Sequence, residues 1–247
     1  MFLFIRFILA HLIGDFPLQV NAIYKAKIQG ARGKLIHVII IGILLSLFSW
    51  PFWGNWHLWY FILFVCTTHF FQDWAKIAIT EKLKMPSSFY FFALDQIFHM
   101  LILSLIFLTP LSSLKVSIKN PTIFTQIYLN NHLFILAIGY LIVSFAGVFL
   151  IGTFKSTCLN KRYETAFMEP VQKYYSMTER VLMLSLLLYK IPFFIVSLPI
   201  FFIAKYLFTN REIKRLQAKE YAPYLLDTLL GAFLVGLTGI IIKIAST

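Results

Sequence analysis

The chain has 247 residues, a net charge of +12, and 60% hydrophobic against 13% charged residues. A soluble domain carries about 25% charged residues and fewer than half apolar, so no aqueous fold hides this much apolar surface. The composition excludes a soluble globular enzyme and predicts an all-α, polytopic transmembrane helix bundle whose solvent is lipid.

Taken in chain order, the apolar runs predict about eight hydrophobic helices, near 2–20, 35–50, 58–80, 89–109, 132–152, 178–190, 192–208 and 222–244. They are read as one transmembrane domain over 1–247, with no internal repeat and no low-complexity tract. The first run has no cationic region before Phe2 and carries Arg6 inside it, so a secretory signal is not expected and the chain is expected to start near Met1. Cys66 and Cys158 imply no disulfide framework.

Basic residues cluster between the runs. Lys25, Lys27, Arg32 and Lys34 follow the first, and Lys76, Lys82 and Lys84 the third. Lys155, Lys161, Arg162 and Lys173 follow the fifth, and Arg211, Lys214, Arg215 and Lys219 precede the last. All four clusters fall on one side, the cytoplasmic one, if the stretch from Arg180 to Phe208 is two helices turning at Tyr189, Lys190 and Pro192. Both termini then lie outside. Trp50, Trp53, Trp56 and Trp59 read as an interfacial aromatic belt, and the loop from Thr109 to Asn131 holds only Lys115 and Lys119. The positive charge therefore reads as topology and contact with anionic membrane lipids, with no nucleic acid as partner.

Three runs carry a His and an Asp four residues apart: His11 with Asp15, His69 with Asp73, and Asp95 with His99. This spacing puts both side chains on one face of a helix, one turn apart. His37 adds an imidazole in the second run, and Gln19, Gln72, Gln96 and Lys76 extend the same faces. An Asp near the centre of a membrane helix is disfavoured by roughly 2.5 to 3.5 kcal/mol, so three carboxylates call for compensation. A divalent metal, Zn, Mn or Fe, supplies it directly, because carboxylate oxygen and imidazole nitrogen are its ligands.

The alternating direction of the first four helices brings Asp15, His37, Asp73 and Asp95 to one depth. For a single pair, hydrogen-bonded packing is the commoner role. Three pairs with His37 at matched depth favour a metal or catalytic site over a proton or ion path and over structural glue. The candidate ligands are His11, Asp15, His69, Asp73, Asp95 and His99, with His37 as ligand or base. Seven exceed one tetrahedral shell, so either two metals bind or some residues orient the others. His57 and His132 sit at outer interfaces and are left out. In the second half Glu179, Arg180, Lys205, Glu220 and Asp227 read chiefly as ion pairs. The alternative places Arg180 or Lys205 in the pocket to bind an anionic group. No Gly-rich phosphate loop, nucleophile elbow or zincin motif is present.

The run Ala10, His11, Gly14, Asp15, Phe16, Leu18 and Gln19, with His37, His69 to Lys76, Asp95-Gln96 and His99, resembles a bacterial integral-membrane family, the domain of unknown function 3307. Glu179-Arg180-Val181-Leu182, Ala204-Lys205, Glu220-Tyr221 and Thr228-Leu229 resemble its C-terminal half. The resemblance implies a multi-pass protein of the bacterial inner membrane. The chain departs from the family pattern at Asp227, where Gly is commoner, and at Tyr174-Tyr175-Ser176, where small residues precede the Glu-Arg pair. The His69 to Asp73 element is also similar to the His-x-x-x-Asp element of predicted membrane-bound metal-dependent hydrolases.

These readings converge on a membrane-embedded hydrolase or transferase acting on a lipidic ester or phosphoester from the cytoplasmic leaflet. His37 would act as ligand or base, and Lys76 or Arg180 would stabilise the developing anion. The rival readings are a proton-coupled or metal-ion transporter and a structural membrane protein without turnover.

Overall fold

A computed structural model describes residues 1–83, 89–116, 118, 122–158, 170–216 and 222–246. Lys84, Lys119, Lys161, Arg162, Lys219 and Glu220 lie outside the described residues, and the side chains of Lys214 and Arg215 are likewise not described. Among the described residues the regular structure is helical throughout. The chain divides into two compact units, Met1–Ile138 and Gly139–Thr247.

The N-terminal unit holds α1 (Phe2–Asp15), α2 (Asn21–Gln29), α3 (Ala31–Phe48), α4 (Trp56–Lys82), α5 (Phe89–Ser104) and α6 (Ile123–Leu129). Helix α7 (Asn131–Leu141) begins in it. The C-terminal unit takes the rest of that helix, a π-helical segment at Ile142–Ala146, and α8 (Gly147–Cys158). It continues with α9 (Pro170–Tyr189), α10 (Ile191–Leu216) and α11 (Ala222–Ser246).

Among the described residues five segments are long and apolar enough to cross a bilayer: Ala31–Phe48, Phe89–Leu108, Asn131–Cys158, Ile191–Arg211 and Leu226–Ala245. The protein is thus a helical membrane protein in composition and form. Three of the expected hydrophobic helices are not among these five, and each carries polar side chains into the interior. Helix α1 buries Arg6, His11 and Asp15 within 14 residues, α4 buries His69 and Asp73, and α9 buries Glu179 and Arg180.

Helix α3 shows the inversion that lipid imposes. Its outward face presents Leu35, Ile36, Ile39, Ile43 and Leu47, all exposed, whereas His37 and Lys34 are buried together with Val38, Ile41 and Leu45. In water this arrangement exposes the wrong residues; in hydrocarbon it is the favourable one. At the α3–α4 turn, Trp53 Nε1 donates to the Ser46 carbonyl at 2.7 Å and Trp59 Nε1 to the Trp53 carbonyl at 2.8 Å, with both rings exposed. These amphipathic rings suit an interface.

Two close approaches fix the N-terminal helices. A Cβ on Gly14 of α1 would lie 2.2 Å from Ile41 Cδ1 of α3, and a Cβ on Gly33 would lie 2.0 Å from the backbone of Ala26 in α2. Glycine is what lets α2 fold back tightly onto α3. Arg6 ties α1 to the end of the unit by donating to Asn131 Oδ1 and the Tyr128 carbonyl, with its guanidinium 3.5 Å from the Phe2 ring centroid.

The apolar core of this unit is built from Leu3, Phe7, Ile41, Leu45, Phe61, Val65, Leu103 and Ile106 among others. It occupies the turns next to the polar positions of the same four helices. In the C-terminal unit the chain breaks at Lys190 between α9 and α10. Sequence reading placed the turn there, but expected shorter helices on either side.

Candidate functional site

The site forms where α1, α3, α4 and α5 present successive turns to one another. On α1 the order is Phe7, His11, Asp15; on α4 it is Val65, His69, Asp73; on α5 it is Leu103, His99, Asp95. Helix α3 contributes Ile41, His37 and Lys34. The i, i+4 periodicity turns these into layers. Phe7, Ile41, Val65 and Leu103, all buried, make an apolar floor.

Above the floor the imidazoles gather. The His69 and His99 rings stack with centroids 4.2 Å apart, and His11 lies 4.8 Å from His99 and 5.4 Å from His69. His37 lies 5.1 Å from His69, ring to ring. Next comes the carboxylate layer, and then the lysines.

The three carboxylates differ in their partners. Asp73 Oδ1 is 2.7 Å from Lys27 Nζ, and Asp95 Oδ2 accepts from Lys76 Nζ at 2.6 Å and from Gln96 Nε2 at 3.3 Å. Asp15 is held by imidazoles instead: His37 Nε2 at 3.0 Å and His69 Nε2 at 3.5 Å from Oδ1, and His11 Nε2 at 3.4 Å from Oδ2. The His37 and His69 Nε2 atoms are themselves 3.1 Å apart. Asp73 Oδ2 stands 3.4 Å from His69 Nε2 and 3.8 Å from His37 Nε2, and His99 Nε2 is 3.4 Å from Asp95 Oδ1. Three overlapping groups have ligand atoms within 4.8 Å of one another: His11, Asp15 and His69; His37, His69 and Asp73; Asp73, Asp95 and His99.

The demand for a compensating cation is thereby smaller than three bare carboxylates would make it. Lys27 and Lys76 already supply cations to Asp73 and Asp95, so only Asp15 relies on imidazoles. Several buried atoms nevertheless lack a hydrogen-bond partner, including His11 Nε2, His37 Nδ1, Gln72 Oε1, both Asp73 oxygens and His99 Nε2. The Lys27 ammonium is near Asp73 Oδ1 as an ion pair rather than an aligned hydrogen bond. Buried polar atoms are nearly always satisfied, so a concentration of unsatisfied ones calls for an explanation.

Every candidate from the N-terminal half is thus brought into one group, Lys76 included. Lys76, with 31% of its side chain exposed, marks the open end, whereas His37 is completely buried. Arg180 stands apart from this list. Its Nε donates to the Val143 carbonyl at 2.5 Å, its Nη2 to the Ser144 carbonyl at 3.4 Å, and its Nη1 lies 4.0 Å from Asp227. All of these partners belong to the C-terminal unit.

There Asp227 takes Lys155 at 2.9 Å, Lys205 at 3.3 Å and the Ser176 hydroxyl at 2.7 Å, while Glu179 pairs with Lys205 at 3.3 Å and accepts from Thr228 at 2.9 Å. Ion pairing among Glu179, Arg180, Lys205 and Asp227 was the main reading from sequence. The departures from the resembled pattern at Ser176 and Asp227 are hydrogen-bonded to each other. The π-helical segment that bears the Val143 and Ser144 carbonyls had no signal in the sequence.

Sequence reading missed Lys27 as a site residue. It was counted as a loop cation marking the cytoplasmic side, yet it is buried, bonds Gln19 Oε1 at 3.3 Å and faces Asp73. The available signal was an imbalance, since three carboxylates in the spans had only Lys76 beside them.

No curated protein and no solved structure matches the chain. The family match does not extend to the C-terminal half, where the looser resemblances lie, and it gives no support to a likeness with membrane-bound hydrolases. Residues 3–125, which contain every member of the His/Asp group together with Lys27 and Lys76, match the family described as protein of unknown function, DUF3307.

Proposed function

We propose that the N-terminal unit is a membrane-embedded, metal-dependent hydrolase or transferase acting on a lipidic ester or phosphoester from the cytoplasmic leaflet. The observation that carries this reading is the gathering of imidazole nitrogens on Asp15. Ligands held at 2.0 to 2.1 Å in a tetrahedron are separated from one another by about 3.3 Å. The contacts of Asp15 with His11, 3.4 Å from Oδ2, and with His69, 3.5 Å from Oδ1, lie close to that edge length.

A purely hydrogen-bonded network is a poorer account, because it leaves His11 Nε2 unsatisfied where a metal would take it as a ligand. His11, Asp15 and His69 would hold the metal, with the fourth position left to water and His37 beside them as base, and two imidazoles with one carboxylate are a set that catalytic zinc accepts. Asp73, Asp95 and His99 then serve around it. A bound divalent ion would supply a Lewis acid and a water acidified toward neutrality.

The remaining work falls to the chain's own groups. Asp73, between His69 and Lys27, is placed to accept a proton, and Lys27 keeps it anionic. Lys76, at the open end, is placed to hold an anionic group of the substrate, with Asp95 fixing its ammonium. The apolar floor of Phe7, Ile41, Val65 and Leu103 makes the polar track single-ended. That favours chemistry in place over passage of a proton or metal ion across the membrane.

The test is turnover of a panel of lipid esters and phosphoesters by purified protein, with chelation and metal restoration. Loss on chelation and recovery with Zn supports the reading. Metal flux into proteoliposomes without turnover of any lipid contradicts it.

A further inference from the structure

A groove of about 670 Å³ runs between the outward faces of α3 and α4, lined by Leu35, Ile39, Gly42, Ser46, Cys66 and Phe70 among others. Its volume lies within the roughly 300 to 1,000 Å³ usual for small-molecule sites. From Leu35 to Leu47 the α3 wall extends about 18 Å at 1.5 Å per residue, along a helix apolar enough to cross the bilayer. The lining is mostly hydrocarbon, with Gly42, Ser46, Cys66 and Thr67 as its small residues. A Cβ on Gly42 would lie 3.0 Å from Cys66 Sγ, so that glycine keeps the two helices close and the groove deep.

Two placements define what fits. One end of the groove lies at the level of the site, because the lining residues Val38 and Phe70 directly follow His37 and His69. Exposed Arg32 stands one turn before Leu35 at that same end, so an anionic group belongs there and a hydrocarbon chain belongs beyond it. The direction of the groove along a membrane-crossing helix is that of lipid chains.

We infer that the α3–α4 groove binds one acyl chain of an anionic phospholipid, with its headgroup beside Arg32 and the open end of the site. This names the anchor of the substrate and rests on the proposed lipid chemistry for that role. The binding step is tested separately from it.

Full-length protein is irradiated with phosphatidylglycerol carrying a diazirine in its acyl chain, and the adducts are mapped by mass spectrometry. Labels are expected on the α3 and α4 groove residues. Labelling should fall about tenfold in Thr67→Trp, which fills the groove from an exposed position without crowding the helix contact, and in Gly42→Leu. Gly236→Leu, at a glycine with open space around it, should label like the parent. Arg32→Gln should lower labelling several-fold with phosphatidylglycerol and leave labelling by the phosphatidylcholine analogue unchanged. Asp15→Ala should label normally, which separates failure of the metal reading from failure of this one. Labels spread over all the lipid-facing helices, or unchanged labelling in Thr67→Trp, overturn the inference. Conversion from dimer to monomer by Thr67→Trp also overturns it, since the occupant is then a second copy.

Discussion

Among the described residues the two units bury similar numbers of polar side chains and treat them in opposite ways. In the C-terminal unit Lys155, Ser176, Glu179, Lys205, Asp227 and Thr228 complete one another at 2.7 to 3.3 Å. Among its described residues the buried atom left without a hydrogen bond is Thr209 Oγ1. In the N-terminal unit the unsatisfied atoms concentrate on His11, His37, Gln72, Asp73 and His99. A satisfied network holds helices together; an unsatisfied one keeps buried polar atoms at a cost in stability. The first is expected to be worth stability, and the second to give up stability for function.

The largest effect is expected where the satisfied network is broken. Asp227→Leu leaves Lys155, Lys205 and Arg180 without their shared carboxylate, and removing one member of a buried ion network costs about 3 to 5 kcal/mol. Denaturation in detergent should show that loss. A change under about 1 kcal/mol would mean that the pairs are solvated and that the contrast between the units is false.

A smaller effect is expected from Gly33→Ala. Its Cβ would meet the Ala26 backbone at 2.0 Å, so α2 must move and carry Lys27 away from Asp73. Overpacking of this kind costs roughly 1 to 3 kcal/mol. The accompanying sign is a faster exchange of α2 amides, and unchanged exchange would show that α2 does not position Lys27.

The smallest stability effect belongs to the unsatisfied site. His99→Phe keeps the stack on His69 and removes an orphaned nitrogen, so unfolding of metal-free protein should shift by less than about 1 kcal/mol, or toward greater stability. A loss as large as that of Asp227→Leu would make His99 structural glue.

The same contrast explains what was legible in the sequence. The pairs His11/Asp15, His69/Asp73 and Asp95/His99 were readable because i, i+4 spacing is a local property of one helix. Their convergence with His37 followed from alternating helix direction. Lys27 was announced only by a shortage of cations for the three carboxylates, since a lysine after a span counts equally as a topology signal and as a buried partner. What distinguishes the two is the fold-back of α2 allowed by Gly33, a tertiary event. The partners of Arg180 were only partly readable: an ion pair was the main expectation, but its bonds to carbonyls of the π-helical turn at Ile142–Ala146 were not, since no residue type announces such a turn. Hydropathy located the helices well but overextended α1 past Asp15, where Pro17 and the turn before α2 intervene.

The central claim is that the N-terminal site is completed by one divalent metal on Asp15. Metal content of gently purified protein tests it most directly, measured for the parent, Asp15→Ala and Ser176→Ala. The account predicts about one Zn, Mn or Fe per chain in the parent, as a single tetrahedral shell requires, its loss in Asp15→Ala and its retention in Ser176→Ala. Folded parent protein free of metal, or metal retained at full stoichiometry in Asp15→Ala, would contradict it.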